Sequence, residues 1–432
     1  MSNEQANLNS TSHLRPQLDK LFGIGVGLAC VGVALAAAGY FGGLVKSGDP
    51  LTAFFQSYVI GFVFWFGVTA GPVALLLLHN TVGGGWGFVL KRQLTAATGN
   101  LPLMALLAVP LVLGYSHVYP WAQPAVIAQH EVLQHQQSWL GWMQVPFVIG
   151  RLVAYFVLLM LMARGINKLA WSMNASNAES HTRKLNMMGP PCMVLYVIMV
   201  TFFAVDVVMT ITPGFTSTII GLLTVVGQGL STFSLMALLS AYVAGHQAPL
   251  SMVPKRYIRD IGNFMLAFTL LWSYMSYSQL VITFSGNSHE EALFYEQRQR
   301  GGWQVIGICM VVAHFALPFL SLLSSTVKTS ITNLGKLAVI ILFMRFVDLY
   351  YWVVPSTENG VNFARLPMDI SMPLAIGGIW LAAWAVNMRD KPLVCEADPR
   401  LHGAWPLGLH HEHEPIGYED VDEDALSEAE VA

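Results

Sequence analysis

The stretch LFMRFVDLYYWVV, residues 342–354, is apolar and aromatic, yet it holds Arg345 and Asp348 three positions apart. A bilayer-crossing helix needs about 20 apolar residues, and this run extends back to residue 332. A charge at mid-bilayer costs about 2.5–3.5 kcal/mol on insertion scales, so it faces protein or water and has a partner. At i and i+3 the two side chains share one helix face. The plain reading is a transmembrane helix whose internal ion pair fixes packing. The sharper reading makes the pair one part of a polar seam between helices.

The rest of the chain has the same character. Charged residues make up 11% of the 432 residues and hydrophobic ones 54%, with a mean hydropathy of +0.54. A soluble domain carries about 25% charged residues. Ten apolar runs are long enough to span: 21–45, 51–79, 98–116, 143–163, 190–211, 216–245, 257–284, 303–325, 332–354 and 370–388. The fold class is therefore an all-α integral membrane protein of about ten transmembrane helices. The first run is too long for a signal-peptide core and reads as a spanning helix. Gly71-Pro72 predicts a kink in the second run.

The loops set an orientation. With the N-terminus in the cytoplasm, inner segments carry 16 Lys and Arg and outer loops carry 4 (Lys46, Arg298, Arg300 and Arg365). That bias follows the positive-inside rule and places both termini inside. Trp121, Trp139, Trp142, Trp303 and Trp352 fall near the outer interface, as an aromatic belt does. Residues 1–20 read as a cytoplasmic tail. Residues 389–432 read as a second one, acidic and His-containing, with nine acids and no Lys or Arg in 410–432. His410, His411 and His413 there could bind metal casually, but a solvated tail is the plainer reading. GGGWGFVLKR, residues 83–92, reads as an inner turn followed by a short interfacial helix. The outer loops 117–142 and 285–302 are either solvated connections or a landing surface for an extracytoplasmic partner.

Few ionisable residues fall in the spans: Arg151, Asp206, His314, Arg345 and Asp348, with Asp260 at the inner start of the seventh. Asp206, in FFAVDVVM, and Asp348, in MRFVDLYY, lie at similar depth on like-oriented helices four spans apart. That points to a parallel repeat of helices 2–5 and 6–9. The sixth helix places Thr224, Gln228, Ser231 and Thr232 on one face, and the seventh adds Ser273, Tyr274, Ser276, Tyr277 and Gln279. These groups serve either as interhelical hydrogen bonds or as a proton relay with the carboxylates and His314. The cysteines Cys30, Cys192, Cys309 and Cys395 are dispersed, with no CxxC or CxxCH, which argues against a bound cluster or covalent haem in this chain.

From residue 79 onward the chain resembles a known family. The stretches that carry the resemblance are HNTVGGGWGFVLKRQLTAATGNLPLMALLAVPLVLG, RLVAYFVLLML, VTFFAVDVVMTI, STIIGLLTVVGQ, IRDIGNFMLAFTLLWSYMSYSQLVITFSGN, AHFALPFLSLLSS, MRFVDLYYWVVP and MPLAIGGIWLAAW. They are similar to the ActF-type, NrfD/polysulfide-reductase-like membrane subunits of bacterial alternative complex III, a quinol:cytochrome c oxidoreductase. The resemblance implies two four-helix bundles, residues 51–211 and 216–354, flanked by helices 21–45 and 370–388. It implies the bacterial inner membrane, a sister NrfD-like subunit (ActC) alongside, and extracytoplasmic multihaem cytochrome c and iron–sulfur subunits on the outer face. Nucleic acid has no part. Haem c and iron–sulfur clusters would sit in those partners and quinol in the sister subunit, with no cofactor, metal or catalytic residue in this chain. The subunit would anchor the redox partners and supply a proton path. By motif match the path would hold Asp206, Gln228, Tyr274, Gln279, His314, Arg345 and Asp348, and Asp260 is a candidate inner mouth. Two alternatives remain: a quinol-binding subunit of such a complex, and a secondary transporter, whose parallel repeats look similar.

Overall fold

A computed structural model describes residues 14–42, 49–129, 141–174, 176–213, 215–244, 255–286, 289–356, 360–389 and 398–400. Within the described residues every regular element is helical. The physical reason is that hydrocarbon offers no water to backbone N–H and C=O groups, so each span must satisfy its own. The long helices are α1 (Arg15–Phe41), α2 (Pro50–Val82), α3 (Trp86–Thr98), α4 (Leu101–Leu113), α5 (Val145–Trp171), α6 (Ala178–Val207), α7 (Ile220–Ala244) and α8 (Lys255–Gly286). After α9 (His289–Arg298) come α10 (Trp303–Cys309), a π-helical segment (Met310–Ala316) and α11 (Leu317–Leu323), which together make one span. The last two are α12 (Ile331–Val353) and α13 (Leu366–Arg389).

Among the described residues nine helices are long and apolar enough to cross a membrane; α3 and α4, meeting at a 45° bend, make a tenth if the pair is one span. The protein is thus a multi-pass, all-α membrane protein. Several boundaries differ from the sequence expectation, among them the start of α13 at Leu366 rather than 370 and of α6 at Ala178 rather than 190. α1 begins at Arg15, with Leu14 and Leu18 buried, because Pro16 is well placed in a helix's first turn. The predicted interfacial helix after the glycines is instead α3, whose residues from Trp86 to Thr98 are almost all buried. The turn itself is as expected, with Gly83 and Gly84 at φ 77° and 97°, backbone that only glycine adopts readily. α2 runs on through Pro72.

The middle of the protein is α2 and α7, buried over 89% and 78% of their apolar windows. They approach closely because Gly71 leaves room for the Thr232 side chain and Gly67 for Gln228. α1, α8 and the eighth span are the least buried, each over only 22% of its window. α1 rests on α13 through small residues. A Cβ on Gly25 would come within 2.7 Å of the Gly378 carbonyl oxygen, and one on Gly32 within 2.6 Å of the Ser371 oxygen. Backbones that touch in this way gain dispersion contacts unavailable to bulkier pairs.

The spans have two unlike ends. One gathers Lys91, Arg92, Arg256, Lys328, Arg389 and Arg400 and is here the basic end. The other gathers Trp121, Trp142, Trp303 and Trp352 and is the aromatic end. At the aromatic end α9 docks its C-terminal Arg298, which is 1% exposed. Its guanidinium donates to the carbonyls of Tyr351 (2.9 Å) and Trp352 (2.9 Å) and to Phe294 (2.7 Å). The first two belong to the last turn of α12, where carbonyls lack helical partners and the dipole favours a cation. Arg298→Met is expected to lower stability by about 2 kcal/mol, read as a lower unfolding midpoint in detergent, since three acceptors lose a charged donor.

Candidate functional site

Among the described residues three carboxylates lie buried at the aromatic end, each held by an arginine and at least one aromatic donor. Asp206 is near the end of α6 and Arg151 near the start of α5; the two helices are antiparallel neighbours, so both residues reach the same level. Arg151 grips Asp206 through two hydrogen bonds, Nε to Oδ2 at 2.7 Å and Nη2 to Oδ1 at 3.0 Å. Tyr155, one helical turn after Arg151, donates its hydroxyl to Oδ2 at 2.8 Å. The guanidinium also reaches the Trp142 carbonyl at 3.0 Å and stacks over its ring at 4.4 Å. Two-point contact of this kind orients a carboxylate as well as neutralising it.

Arg345 and Asp348 pair as their i, i+3 spacing requires, with side chains 7% and 5% exposed. Trp272 on α8 donates its indole N–H to Asp348 Oδ2 at 3.0 Å. The same indole meets the edge of His314, ring centroids 4.1 Å apart. His314 is fully buried in the π-helical segment, and neither ring nitrogen has a hydrogen-bond partner. Arg345 Nε is also unpartnered. Gly227 on α7 makes room for this guanidinium, since a Cβ there would overlap it. π-helical turns recur at functional sites, and buried polar atoms without partners are rare enough to require a reason.

The third unit was not anticipated. Arg365 Nε donates to Asp369 Oδ1 at 2.8 Å and Tyr350 to Oδ2 at 3.0 Å. Arg365 also hydrogen-bonds Gln56 on α2, and Ser57 donates to the Asp369 carbonyl at 3.0 Å. Asp369 is 0% exposed and Arg365 2%. Its signal was an Arg and an Asp four residues apart abutting the last apolar run. Beginning that run at residue 370 left both in the loop.

The remaining expected positions divide. Gln228 is buried and accepts from the Tyr196 hydroxyl at 2.5 Å, one residue from the glycine that touches Arg345. Gln279 is buried and accepts from Ser217 at 2.7 Å. Asp260 lies half-buried near the basic start of α8. Tyr274 differs from expectation: it is 67% exposed, on the side of α8 opposite Trp272, because two residues turn a helix by about 200°. Tyr277 is exposed likewise. Thr224 and Ser231 donate to carbonyls one turn back in their own helix, so neither bridges helices. Asp206 has Arg151 and Tyr155 as its side-chain partners; Arg345, Asp348, Trp272 and His314 lie together at the meeting of α7, α8, α12 and the π-helical segment, while Gln228 faces α2 at Gly67 and α6 at Tyr196.

A narrow groove leads to Asp206, lined by Tyr115, Tyr119, Trp121, Leu152 and Tyr155. Its free volume is about 30 Å³, above the roughly 10–15 Å³ that one water molecule needs. No three His, Cys, Asp or Glu side chains among the described residues are grouped as a metal ion would need.

The basic end holds a different cluster. Asp398 is fully buried and accepts from Lys91 Nζ at 3.0 Å and from Arg400 Nε and Nη2 at 3.0 and 2.9 Å. Burial alone would raise this carboxyl; the Arg400 hydrogen bonds and the Lys91 charge outweigh it and hold it well below its ordinary 3.8. Arg92 donates to the Met388 carbonyl at 2.6 Å. His410, His411 and His413 and residues 130–140 of the outer loop lie outside the described residues.

Fold and site together define a class: a multi-pass helical membrane protein with carboxylate–guanidinium pairs buried near one end of its spans. Compared with known protein families and with curated proteins, the chain matches none.

Proposed function

We propose that this chain is a non-catalytic, NrfD-like membrane subunit of a bacterial respiratory quinol:cytochrome c oxidoreductase of the alternative complex III type. It anchors extracytoplasmic haem c and iron–sulfur subunits beside a quinol-binding sister subunit and gives protons a path across the inner membrane. The basic end faces the cytoplasm, by the positive-inside rule. The bundle arrangement is supported by α2 and α7: each is the first helix of an expected four-helix unit, and they form the shared centre with α1 and α13 at the flank.

The observation that carries the reading is the Arg345–Asp348–Trp272–His314 group. An ion pair that only fixed packing would need neither a π-helical turn nor a histidine with two unpartnered nitrogens. A path needs protonatable groups in low dielectric whose charge is held but releasable. Moving one charge through 100 mV takes about 2.3 kcal/mol, and this comes from electron flow in the partners. Asp206 and Asp348 are the exchange sites at the aromatic end, and Gln228 and His314 continue inward.

The test uses the purified complex in liposomes with Asp206→Asn and Asp348→Asn combined. Quinol oxidation is expected at the normal rate, with proton translocation reduced to the background leak. Undiminished translocation would overturn the reading. A second reading, quinol binding in this subunit, is favoured by the aromatic groove ending on Asp206. It expects Asp206→Asn alone to abolish electron flow in an intact complex.

A further inference from the structure

His79 is the second deeply buried histidine, and the path as drawn above does not use it. It lies in the last turn of α2 and is 1% exposed; no well-formed hydrogen bond reaches either ring nitrogen, and the Gly83 backbone offers a weak one. Trp86 and Phe88 meet it edge-on, with centroids 5.6 and 5.0 Å away. Gly87 lies against the ring, where any side chain would overlap it. An imidazole carries one donor and one acceptor when neutral, and leaving them poorly met in an apolar box is costly. A leucine would fill that box without the cost, so the ring is there for its nitrogens.

The surroundings say how the ring is closed off. The charged groups facing it are Arg400, Lys91 and Asp398. Asp398 and Arg400 come from the segment after the last span and pack at the basic end. Asp398 clasps Lys91, while Arg400 reaches Asn80 and Asn186 at 3.4 Å each. Asn80 adjoins His79, and Asn186 lies in the first turns of α6. The three-residue segment Asp398–Arg400 therefore ties α2, α3 and α6 together close to the ring. The carboxylate is needed for more than surface attachment: it is 0% exposed and meets two cations.

We propose that His79 is the proton-carrying group at the basic end of the path, and that Asp398–Arg400 is a removable cover over it. The role of His79 rests on the proton-path reading; the cover does not. With the cover seated, the ring is sealed between Trp86, Phe88 and Gly87. When Asp398 leaves Lys91, water reaches the ring. One nitrogen then takes a proton from the cytoplasmic side, and the other releases its proton to water that enters with the open cover and carries it inward; the Thr232 hydroxyl, an unpartnered buried oxygen facing α2 at Gly71, lies two turns further in, about 12 Å by helical rise. The proton count balances: release leaves the ring neutral in its opposite tautomer, and a ring flip or proton exchange with the entering water restores the first. Asp260, the mouth expected from the sequence, is half-buried at the start of α8 and is not needed for this route.

The cover is tested on the purified complex by diethylpyrocarbonate carbethoxylation of histidine, read site by site by mass spectrometry. In Asp398→Asn and separately in Arg400→Gln, His79 labelling is expected to rise about tenfold or more, the change in open population when a buried charge-assisted hydrogen bond is lost. His314, equally buried and far from the cover, should stay unlabelled in both and controls for general unfolding. Full His79 labelling in the wild type, or no rise in either variant, overturns the cover. The histidine's role is tested by His79→Gln in liposomes, where translocation should be lost with quinol oxidation intact. Normal translocation in His79→Gln, while Asp206→Asn with Asp348→Asn abolishes it, overturns His79 and leaves the proposed path standing.

Discussion

Replacing Arg345 with Met is expected to lower stability by about 3–5 kcal/mol, the usual cost of removing one partner from a buried ion pair. Asp348 is left with the indoles of Trp272 and Trp352 as donors in a site where its side chain is 5% exposed. The carboxyl then stays charged without a counter-ion or takes up a proton, and either costs free energy. The paired variant Arg345→Met with Asp348→Leu should recover most of that loss, because removing both charges also removes the desolvation penalty. Unfolding in mixed micelles, followed by tryptophan fluorescence, measures both. If the single variant were as stable as the wild type, the pair would not be buried as described. If the double variant were as unstable as the single, the defect would be packing rather than charge. The same double variant should transport no protons, which separates a stabilising role from a conducting one.

Gly32→Leu should detach α1 from the rest of the protein. The side chain would start within 2.6 Å of the Ser371 oxygen on α13, with the Ala375 backbone equally close. Neither backbone can yield without moving a whole helix. Overpacking a close helix crossing costs about 3 kcal/mol or more, and α1 is only 22% buried along its apolar window, with little else to hold it. The expected outcome is protection lost over α1 alone in hydrogen exchange, with α2 and α7 unchanged. Gly27→Leu is the control, since a Cβ at Gly27 meets nothing within 4 Å. Equal protection in the two variants would mean that the α1–α13 contact does not hold α1 in place.

Much of the architecture was legible because lipid simplifies the code. A span must be helical and apolar for about 20 residues, so run length and loop charge suffice to count helices. The Arg345–Asp348 contact was legible too, since i, i+3 spacing on one helix leaves little choice. Arg151 was visible as a charge in a span, but nothing local tied it to Asp206, 55 positions away. Gln56 and Tyr350 were invisible as partners of Arg365 and Asp369, because an uncharged polar residue in a span does not signal which helix it meets. Helical phase on α8 was misjudged for Tyr274: five polar residues in seven positions cover every direction, so composition alone could not choose the buried side.

The tail shows the same limit most plainly. Asp398 and Arg400 lie in a stretch whose composition reads as solvated, yet Asp398 is fully buried between Lys91 and Arg400. Apolar run length, the positive loops and the glycine turn at Gly83–Gly84 are properties of consecutive residues, and the sequence by itself determined them. Which carboxylate meets which arginine, where α1 rests, and what covers His79 depend on side chains far apart in the chain. Those were decided only by tertiary structure, because the free energy of a buried charge is set by the neighbours that packing brings to it.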